Sequence, residues 1–234
     1  MNRPFSPVQI LISLQKLLPF LGVTFSVMLG TVFLGLLLSI LVVRQKFSKK
    51  RFWNAFADTY IHILRCTPSI VLLFIVYYGI PKFMQVLFGV NIHFWPKIIF
   101  VVIALSLLYS AQLSEIIRSA LQAVGPQQYE AALMIGLTPF QAMRRIVIPQ
   151  AIVYMLPNLG NSLIALLKEG ALAYTIGLID VMGKGNLIIS LNYGGYALET
   201  YIALAIIYWV VTLIIENAFR LFERHFSKGR KNAA

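Results

Sequence analysis

The sequence is poor in charged residues and almost without cysteine. Asp, Glu, Lys and Arg make up 12% of its 234 residues, about half of the roughly 25% found in an average soluble chain. Hydrophobic residues make up 59%, and a chain of this length has too little interior to shield so much apolar surface from water. Disorder is excluded by the same figures, and Cys66, the only cysteine, excludes a fold held by disulfide bonds. The sequence therefore predicts an integral membrane protein.

Groups that perform catalysis are also scarce. The eight acidic residues are scattered along the chain and so are His62, His93 and His225, whereas an intramembrane hydrolase or a metal site needs such groups in sets. Residues 177–185 are the nearest approach to a phosphate-binding Walker A loop, but the spacing is wrong and the hydroxyl is missing. We therefore expect no enzymatic activity and no metal or cofactor bound by this chain itself.

The net charge of +12 raises the question of nucleic-acid binding. Lys and Arg are concentrated in short tracts between long uncharged stretches. This distribution is typical of the cytoplasmic loops of membrane proteins and unlike a continuous basic surface that follows a phosphate backbone. A lipid bilayer is the expected surrounding, and no nucleic acid is expected as a partner.

Five apolar segments are long enough to cross a bilayer. They cover about residues 18–43, 60–80, 98–117, 146–167 and 197–219. Residues 1–17 are expected to form an interfacial helix, and residues 223–234 a basic tail. The predicted fold class is an all-α integral membrane protein with about five transmembrane helices.

The distribution of Lys and Arg predicts the orientation of these segments. One side receives the loop 44–51, Arg65, the segment 118–145 and the tail together with Arg220 just before it, which hold 14 of the 20 basic residues. The richer side is the cytoplasm. We therefore expect a multi-pass protein of the cytoplasmic (inner) membrane, with the N-terminus outside and the C-terminus in the cytoplasm.

The polar segment between the third and fourth spans has a clear internal pattern. Pro126 suits the first turn of a helix, and Gly136 is placed to end that helix with a positive φ. Thr138 then begins a second helix, with proline and glutamine in the positions of a capping box, and this helix is expected to end at Pro149. The apolar side chains of the segment have little of their own chain to cover them: Leu133, Met134, Leu137 and Phe140. The pattern indicates a docking element.

The same segment resembles a known family motif. Glu130-Ala131-Ala132, then Gly136, Ile146 and Ile148-Pro149 have the spacing of the EAA loop of ABC importer permeases, with isoleucine where leucine is commoner. The resemblance implies that the loop, about 119–149, couples the permease to an ATPase. The coupling residues that it implies are Glu130, Ala131, Ala132, Gly136, Ile146 and Pro149.

Residues 18–222 are similar to the polar amino acid subfamily of these permeases. Arg65-Cys66-Thr67-Pro68 resembles its Arg-Gly-Thr-Pro motif, and Ser114–Arg118 resembles Ala-Glu-Ile-Phe-Arg. Residues 167–172 resemble its Leu-Lys-Asp-(Thr/Ser)-Ser-Leu motif, but Gly170-Ala171 replace the hydroxyl pair. The resemblance implies the type I ABC importer transmembrane fold.

The resemblance also implies partners and a substrate class. The partners are a second permease subunit (a homodimer or a paralogue), two ATPase subunits that use ATP and Mg²⁺, and an extracytoplasmic amino-acid-binding protein. The stretch 174–183 is most similar to cystine permeases, and glutamine, glutamate, arginine and histidine are the alternatives. A passive or ion-coupled amino acid carrier remains an alternative class.

Four polar residues in the spans are candidates for the substrate path. Glu115 lies three residues before Arg118, so the alternative for it is an ion pair on the helix surface. Lys168 and Glu169 together suit the carboxylate and the ammonium of an amino acid, and the alternative is a charge pair at the membrane edge. Asn161 has the alternative of a hydrogen bond between helices.

Overall fold

The computed structural model describes residues 5–48 and 50–227. The first residues of the expected interfacial helix and most of the expected basic tail lie outside this range. Within it the chain forms helices and no strands. The helices are α1 (Pro7–Leu17), α2 (Leu21–Lys46), α3 (Arg51–Cys66), α4 (Ser69–Phe88), α5 (Lys97–Val124), α6 (Pro126–Met134), α7 (Pro139–Ala142), α8 (Ile148–Gly170), α9 (Val181–Leu191) and α10 (Ala197–Ser227).

Short 3₁₀ and π turns join some of these helices into longer rods. Among the described residues, five helical stretches are long and apolar enough to cross a membrane, which confirms the expected all-α membrane fold. They are Pro7–Lys46, Ser69–Phe88, Lys97–Val124, Pro139–Ile176 and Ala197–Phe226.

The second span begins later than the sequence predicted. The expected span 60–80 is divided between α3 and α4, because the helix stops at Thr67-Pro68. Pro68 has no N–H and disfavours helical backbone at the residue before it, and Thr67 is extended, with ψ of 124°. The membrane-spanning helix therefore runs from Ser69 to Phe88, and α3 is a separate amphipathic helix.

The expected helix end at Pro149 is wrong. A π-helical turn, Met143–Val147, joins α7 to α8 without a break. Pro149 lies in the first turn of α8, directly after this π turn. The wider π turn directly before it accommodates a ring that would otherwise press on the preceding carbonyls.

Helix α5 forms the centre of the bundle. Its residues Phe100, Val101 and Ala104 are each at most 1% exposed, and it packs against α2, α3, α4 and α8. The contact between α5 and α2 is close because Gly35 of α2 faces Tyr109 of α5. A Cβ at Gly35 would lie 2.8 Å from the ring of Tyr109, so only glycine fits this contact.

A second apolar cluster holds α1 against α9 and α10. Leu17 and Ala203 are fully buried in it beside Val181. The backbone N–H of Ser6 donates a hydrogen bond of 3.0 Å to Glu199 Oε1. Helix α1 is thus packed on protein along one face and joined to α2 by a single 3₁₀ turn.

Asp180 connects α9 to α2. Its Oδ1 accepts a hydrogen bond of 2.8 Å from the N–H of Gly183 and caps α9, and its Oδ2 accepts one of 3.5 Å from the hydroxyl of Thr24. Burial raises the pKa of the Asp180 carboxyl above its ordinary value, although the hydrogen bonds from Gly183 and Thr24 oppose this change.

A short helix lies at each end of the bundle. We call the two ends, after these helices, the α6 end and the α9 end.

Candidate functional site

The turn after α6 has the geometry that the sequence predicted. Gly136 has a φ of +87°, and its N–H donates to the carbonyl of Leu133 at 3.0 Å. The N–H of Leu137 donates to the carbonyl of Ala132 at 3.1 Å. These two bonds form a Schellman motif, which requires a left-handed residue at the position of Gly136. The turn fixes the direction in which the chain leaves α6.

The predicted capping box of α7 is also present. The Thr138 hydroxyl accepts a hydrogen bond of 3.3 Å from the N–H of Gln141, and the Gln141 side chain accepts one of 3.0 Å from the N–H of Thr138. Both ends of the connection between α6 and α7 are therefore fixed by local hydrogen bonds. The segment is a pre-formed helix pair rather than a loose loop.

This helix pair carries three strongly exposed apolar side chains. Met134 is 88% exposed, Ile135 78% and Phe140 71%. We call these three residues the apolar tip. Of the four apolar residues that the sequence indicated, Met134 and Phe140 are exposed as expected, whereas Leu133 and Leu137 are half-buried. Ile135 completes the exposed set, which is available to a partner.

The residues of the expected coupling motif divide between surface and core. Glu130 and Ala131 are exposed, whereas Ala132 is buried and Ile146 is half-buried. Pro149 is exposed at the start of α8. Arg144 and Arg145 are exposed, and among the described residues neither forms an ion pair with Glu130. Glu130 thus faces solvent beside the apolar tip.

Four charged side chains meet at the α6 end of α2, α3 and α5. The Lys46 ammonium lies 2.6 Å from Asp58 Oδ1 and 3.0 Å from Glu115 Oε1. Arg118 Nη2 lies 2.8 Å from Glu115 Oε2. We call these four residues the ionic cluster. It contains two cations and two anions, so its formal charges balance.

In the ionic cluster, Glu115 forms two ion pairs, one of which joins two helices. The predicted pair of Glu115 with Arg118 is present, and Lys46 adds a bond from Glu115 to α2. Sequence reasoning missed Lys46 and Asp58, because they lie on other helices and no local spacing indicates the contact. The sequence offered one signal for this contact: Lys46 ends one helix, and Asp58 lies in the next, amphipathic helix.

A groove of about 750 Å³ opens beside the ionic cluster. It is lined along α3 by Asp58, His62, Arg65 and Cys66 and is bounded at one end by Lys46 and Glu115. We call it the α3 groove. The polar and charged side chains of α3 share this face, because they recur at intervals of three and four residues.

The structure does not bring all of the expected path residues together. Asn161 and Lys168 are exposed on one side of α8, and Glu169 is half-buried beside the hydroxyl of Ser69. Lys168 and Glu169 occupy the last turn of α8, next to Gly170, which lies against Val27 of α2. Glu115 instead contacts the end of α2 at Lys46, 19 residues or about 28 Å further along that helix.

The sequence grouped Arg65 with the loop 44–51 and the segment 118–145 on one side, but the structure places it away from them. It stands in the last turn of α3, and α3 is fixed against α5 by a hydrogen bond of 2.7 Å between Tyr60 Oη and Ser110 Oγ. Ser110 is at the middle of the 28-residue α5. Arg65 lies beyond Tyr60 on the side away from the α6 end, so it stands near the level of the middle of α5.

Comparison with known proteins is consistent with this architecture. Residues 31–228 match the family of binding-protein-dependent transport system inner membrane components. The probable amino-acid permease protein YxeN of Bacillus subtilis (strain 168) is 42% identical over 169 residues, 72% of each chain. The L-cystine transport system permease protein TcyL of the same organism is 36% identical over 211 residues, 90% of this chain and 87% of the relative.

A solved structure gives the same result at the level of the fold. The crystal structure of an amino acid ABC transporter with histidines contains a chain that is 35% identical, with a TM-score of 0.82, and the match covers 95% of this chain and all of that one. The resemblance to ABC importer permeases that the sequence motifs indicated is therefore confirmed. The chain belongs to the family of binding-protein-dependent transport system inner membrane components.

Proposed function

We propose that this chain is the membrane-spanning permease subunit of an ATP-driven importer that carries a polar amino acid. Its apolar tip, presented on the capped helix pair α6–α7, is the single observation that carries the proposal. A chain without its own nucleotide-binding loop needs an external source of energy, and the tip is a surface on which that source can act.

The tip is proposed to dock on a cytoplasmic ATPase subunit. Exposed apolar side chains that lie close together are uncommon on soluble surfaces and mark contact sites. Glu130 adds a charge at the edge of the tip, Ala132 is buried at its base, and α6 packs against α7 and the π turn. Two such ATPase subunits, which use ATP and Mg²⁺, would serve two permease subunits.

A second permease subunit follows from the size of the domain. Five spans are few for enclosing a polar path, whereas two subunits supply ten. The second subunit is either another copy of this chain or a paralogue. An extracytoplasmic binding protein delivers the amino acid at the α9 end, and the α6 end faces the cytoplasm, as the excess of Lys and Arg there favours.

The coupling requires two states of the membrane domain. Nucleotide binding and release move the docked tip, and the loaded binding protein favours one state at the opposite end. By linkage, each ligand changes the affinity for the other by the same factor. The continuous helix from α7 to α8 gives a direct connection between the tip and the span.

Cystine is the first candidate substrate. The stretch 174–183 favours it, and a relative of 36% identity is named for L-cystine transport. The stretch lies at the α9 end, where the Lys97 ammonium donates a hydrogen bond of 3.2 Å to the carbonyl of Gly177. Glutamine, glutamate, arginine and histidine remain the alternatives.

Uptake into lipid vesicles tests the proposal. The vesicles contain this chain, its ATPase and a candidate binding protein, and the five amino acids are offered with and without ATP. ATP-dependent accumulation of one amino acid is expected and identifies the substrate. Uptake that ignores ATP but follows an ion gradient would instead indicate an ion-coupled carrier, and uptake without either would indicate a passive one.

A further inference from the structure

Arg65 is the one charge of the α3 groove that the ionic cluster does not neutralise. Within the described part of the chain, Arg65 forms no ion pair and no hydrogen bond through its side chain. Asp58 and Glu115, the two carboxylates of the groove, already contact Lys46 and Arg118. The groove therefore has an excess positive charge at Arg65.

The position of Arg65 along the bundle is fixed on both sides. Towards the α6 end, the Tyr60 hydroxyl is bonded to Ser110 at the middle of α5. Towards the α9 end, Ser69, which begins α4, approaches Glu169 in the last turn of α8. Arg65 is thus bracketed by two contacts that both lie inside membrane-spanning helices.

An exposed guanidinium at this depth is not explained by lipid contact. Placing an arginine within the hydrocarbon is costly, and such residues face water or a partner of opposite charge. A basic anchor in the headgroup region would have no such cost, but Arg65 lies on the wrong side of Tyr60 for that role. The side chain opens instead on the α3 groove.

We propose that Arg65 is the carboxylate-binding residue of the substrate path, which holds the α-carboxylate of the amino acid in the α3 groove. This inference rests on the proposed function. The planar guanidinium matches a carboxylate through two parallel hydrogen bonds. Because every α-amino acid carries this group, Arg65 binds what the candidate substrates have in common and does not select among their side chains.

The site has room for the rest of the ligand. The groove volume of about 750 Å³ lies within the roughly 300–1,000 Å³ of small-molecule sites. His62 is one turn from Arg65 on the same face of α3, and Asp58 is two turns away. The ligand therefore extends from Arg65 towards the ionic cluster, that is, towards the α6 end.

Direct binding to the permease–ATPase complex tests this assignment. The complex is placed in lipid nanodiscs without the binding protein, and binding of the radiolabelled substrate identified by the uptake experiment is measured. Arg65→Gln is expected to weaken binding by roughly 10- to 100-fold, the range for loss of a hydrogen-bonded charge partner. Arg65→Lys keeps the charge without the paired donors and is expected to lie in between.

Arg51→Gln is the matched control, because it removes the same charge from an exposed residue of the same helix outside the groove. It is expected to bind like the wild type. The carboxamide of the same amino acid is expected to compete poorly with the radiolabelled substrate for the wild-type complex. Its own affinity is expected to be the same for the wild type and for Arg65→Gln. Equal competition by acid and amide in the wild type would contradict the proposal.

Two further outcomes separate this inference from the proposed function. If wild-type uptake depends on ATP but Arg65→Gln binds substrate normally, the carboxylate site is wrong and the importer stands. If Arg65→Gln instead separates the two permease subunits during size-exclusion chromatography, the counter-ion of Arg65 belongs to the second subunit. That result would also overturn the assignment.

Discussion

At the scale of single residues, Gly136 and Gly89 form a natural pair for comparison. Both end a helix with a positive φ, +87° and +67°, and a Cβ at either position would meet nothing within 4 Å. A substitution at either one therefore acts through backbone strain alone. Gly136 lies beside the apolar tip at the α6 end, whereas Gly89 lies at the opposite end, where α4 leads into the connection to α5.

Gly136→Ala is expected to reduce ATP-dependent uptake, because alanine in the left-handed region costs about 1–2 kcal/mol and the Schellman turn that orients the tip is lost. Gly136→Asp adds a charge and is expected to leave an inserted but uncoupled protein. Uptake into vesicles and the amount of ATPase that copurifies are the measurements. Gly89→Ala should cause similar strain without loss of coupling; equal loss in both variants would contradict the docking role of the tip.

Asp180 gives a pH dependence whose sign can be worked out. Burial raises the pKa of its carboxyl in the folded state, so between the ordinary and the raised pKa the folded protein holds a proton that the unfolded chain has released. The free energy of unfolding then falls as the pH rises through this window.

Asp180→Asn is expected to remove this decline, because asparagine does not titrate and still accepts the hydrogen bond that caps α9. Thermal unfolding of both proteins in detergent from pH 4 to 7 is the measurement. Asp180→Ala loses the cap as well, so its melting temperature is expected to be lower at every pH, by an amount that corresponds to about 0.5–2 kcal/mol. A decline of the same slope in Asp180→Asn would assign the effect to another group.

At the scale of helices, the ionic cluster joins three elements that are distant in sequence. Lys46 and Glu115 are 22% and 20% exposed, so their interaction is only partly screened by solvent. Residues of one such network have interaction energies of about 0.5–3 kcal/mol. A double-mutant cycle with Lys46→Met and Glu115→Gln is therefore expected to show coupling in the free energy of unfolding.

The pair Arg220–Glu216 is a suitable control for this cycle. Its side chains are 60% and 42% exposed and lie four residues apart on α10, so its coupling is expected to be only about 0.3–0.5 kcal/mol. Stability against denaturant in detergent is the measurement. Additive effects of the Lys46 and Glu115 substitutions would mean that the cluster does not join the helices energetically.

Local signals predicted helices well where the pattern itself is local. The Gly136 turn and the Thr138 capping box depend on residues within a few positions of one another, and both are as expected. The π turn at Met143–Val147 was not predicted, because Pro149 was interpreted as the end of the second helix and not as a residue that a wider turn accommodates. Helix α3 was partly missed, because a short amphipathic helix of mixed composition has no long apolar run.

The sequence did not predict how deep in the bundle individual residues lie. The sequence assigned Arg65 to the cytoplasmic side with the other basic segments, because that side has the excess of Lys and Arg. Its true level depends on the bond between Tyr60 and Ser110, 50 residues apart. Five spans, by contrast, follow from the length of apolar runs alone.

At the scale of the whole molecule, the two ends of the bundle expose aromatic residues of similar accessibility. Phe140 is 71% exposed at the α6 end and Phe94 is 79% exposed in the connection before α5, at the α9 end. Phe140→Ser is expected to lower the amount of ATPase that copurifies with the permease, because it removes a large part of the apolar tip. Phe94→Ser is the matched control for loss of an exposed ring.

Copurification of the ATPase subunit with each variant, followed by its rate of ATP hydrolysis, is the measurement. The docking assignment predicts that only Phe140→Ser uncouples hydrolysis from the loaded binding protein. A result in which Phe94→Ser alone has this effect would place the ATPase contact at the α9 end and reverse the proposed orientation.

The π turn between α7 and α8 has a mechanical consequence. A π turn holds one residue more than an α-helical turn, so converting this turn to regular α-helix would advance the chain beyond it by about 1.5 Å and turn it by about 100°. Such a conversion at Met143–Val147 couples a change in the length of the rod to a rotation of α8. A pull on the tip that converted the π turn to α-helix would therefore also twist α8 about its own axis.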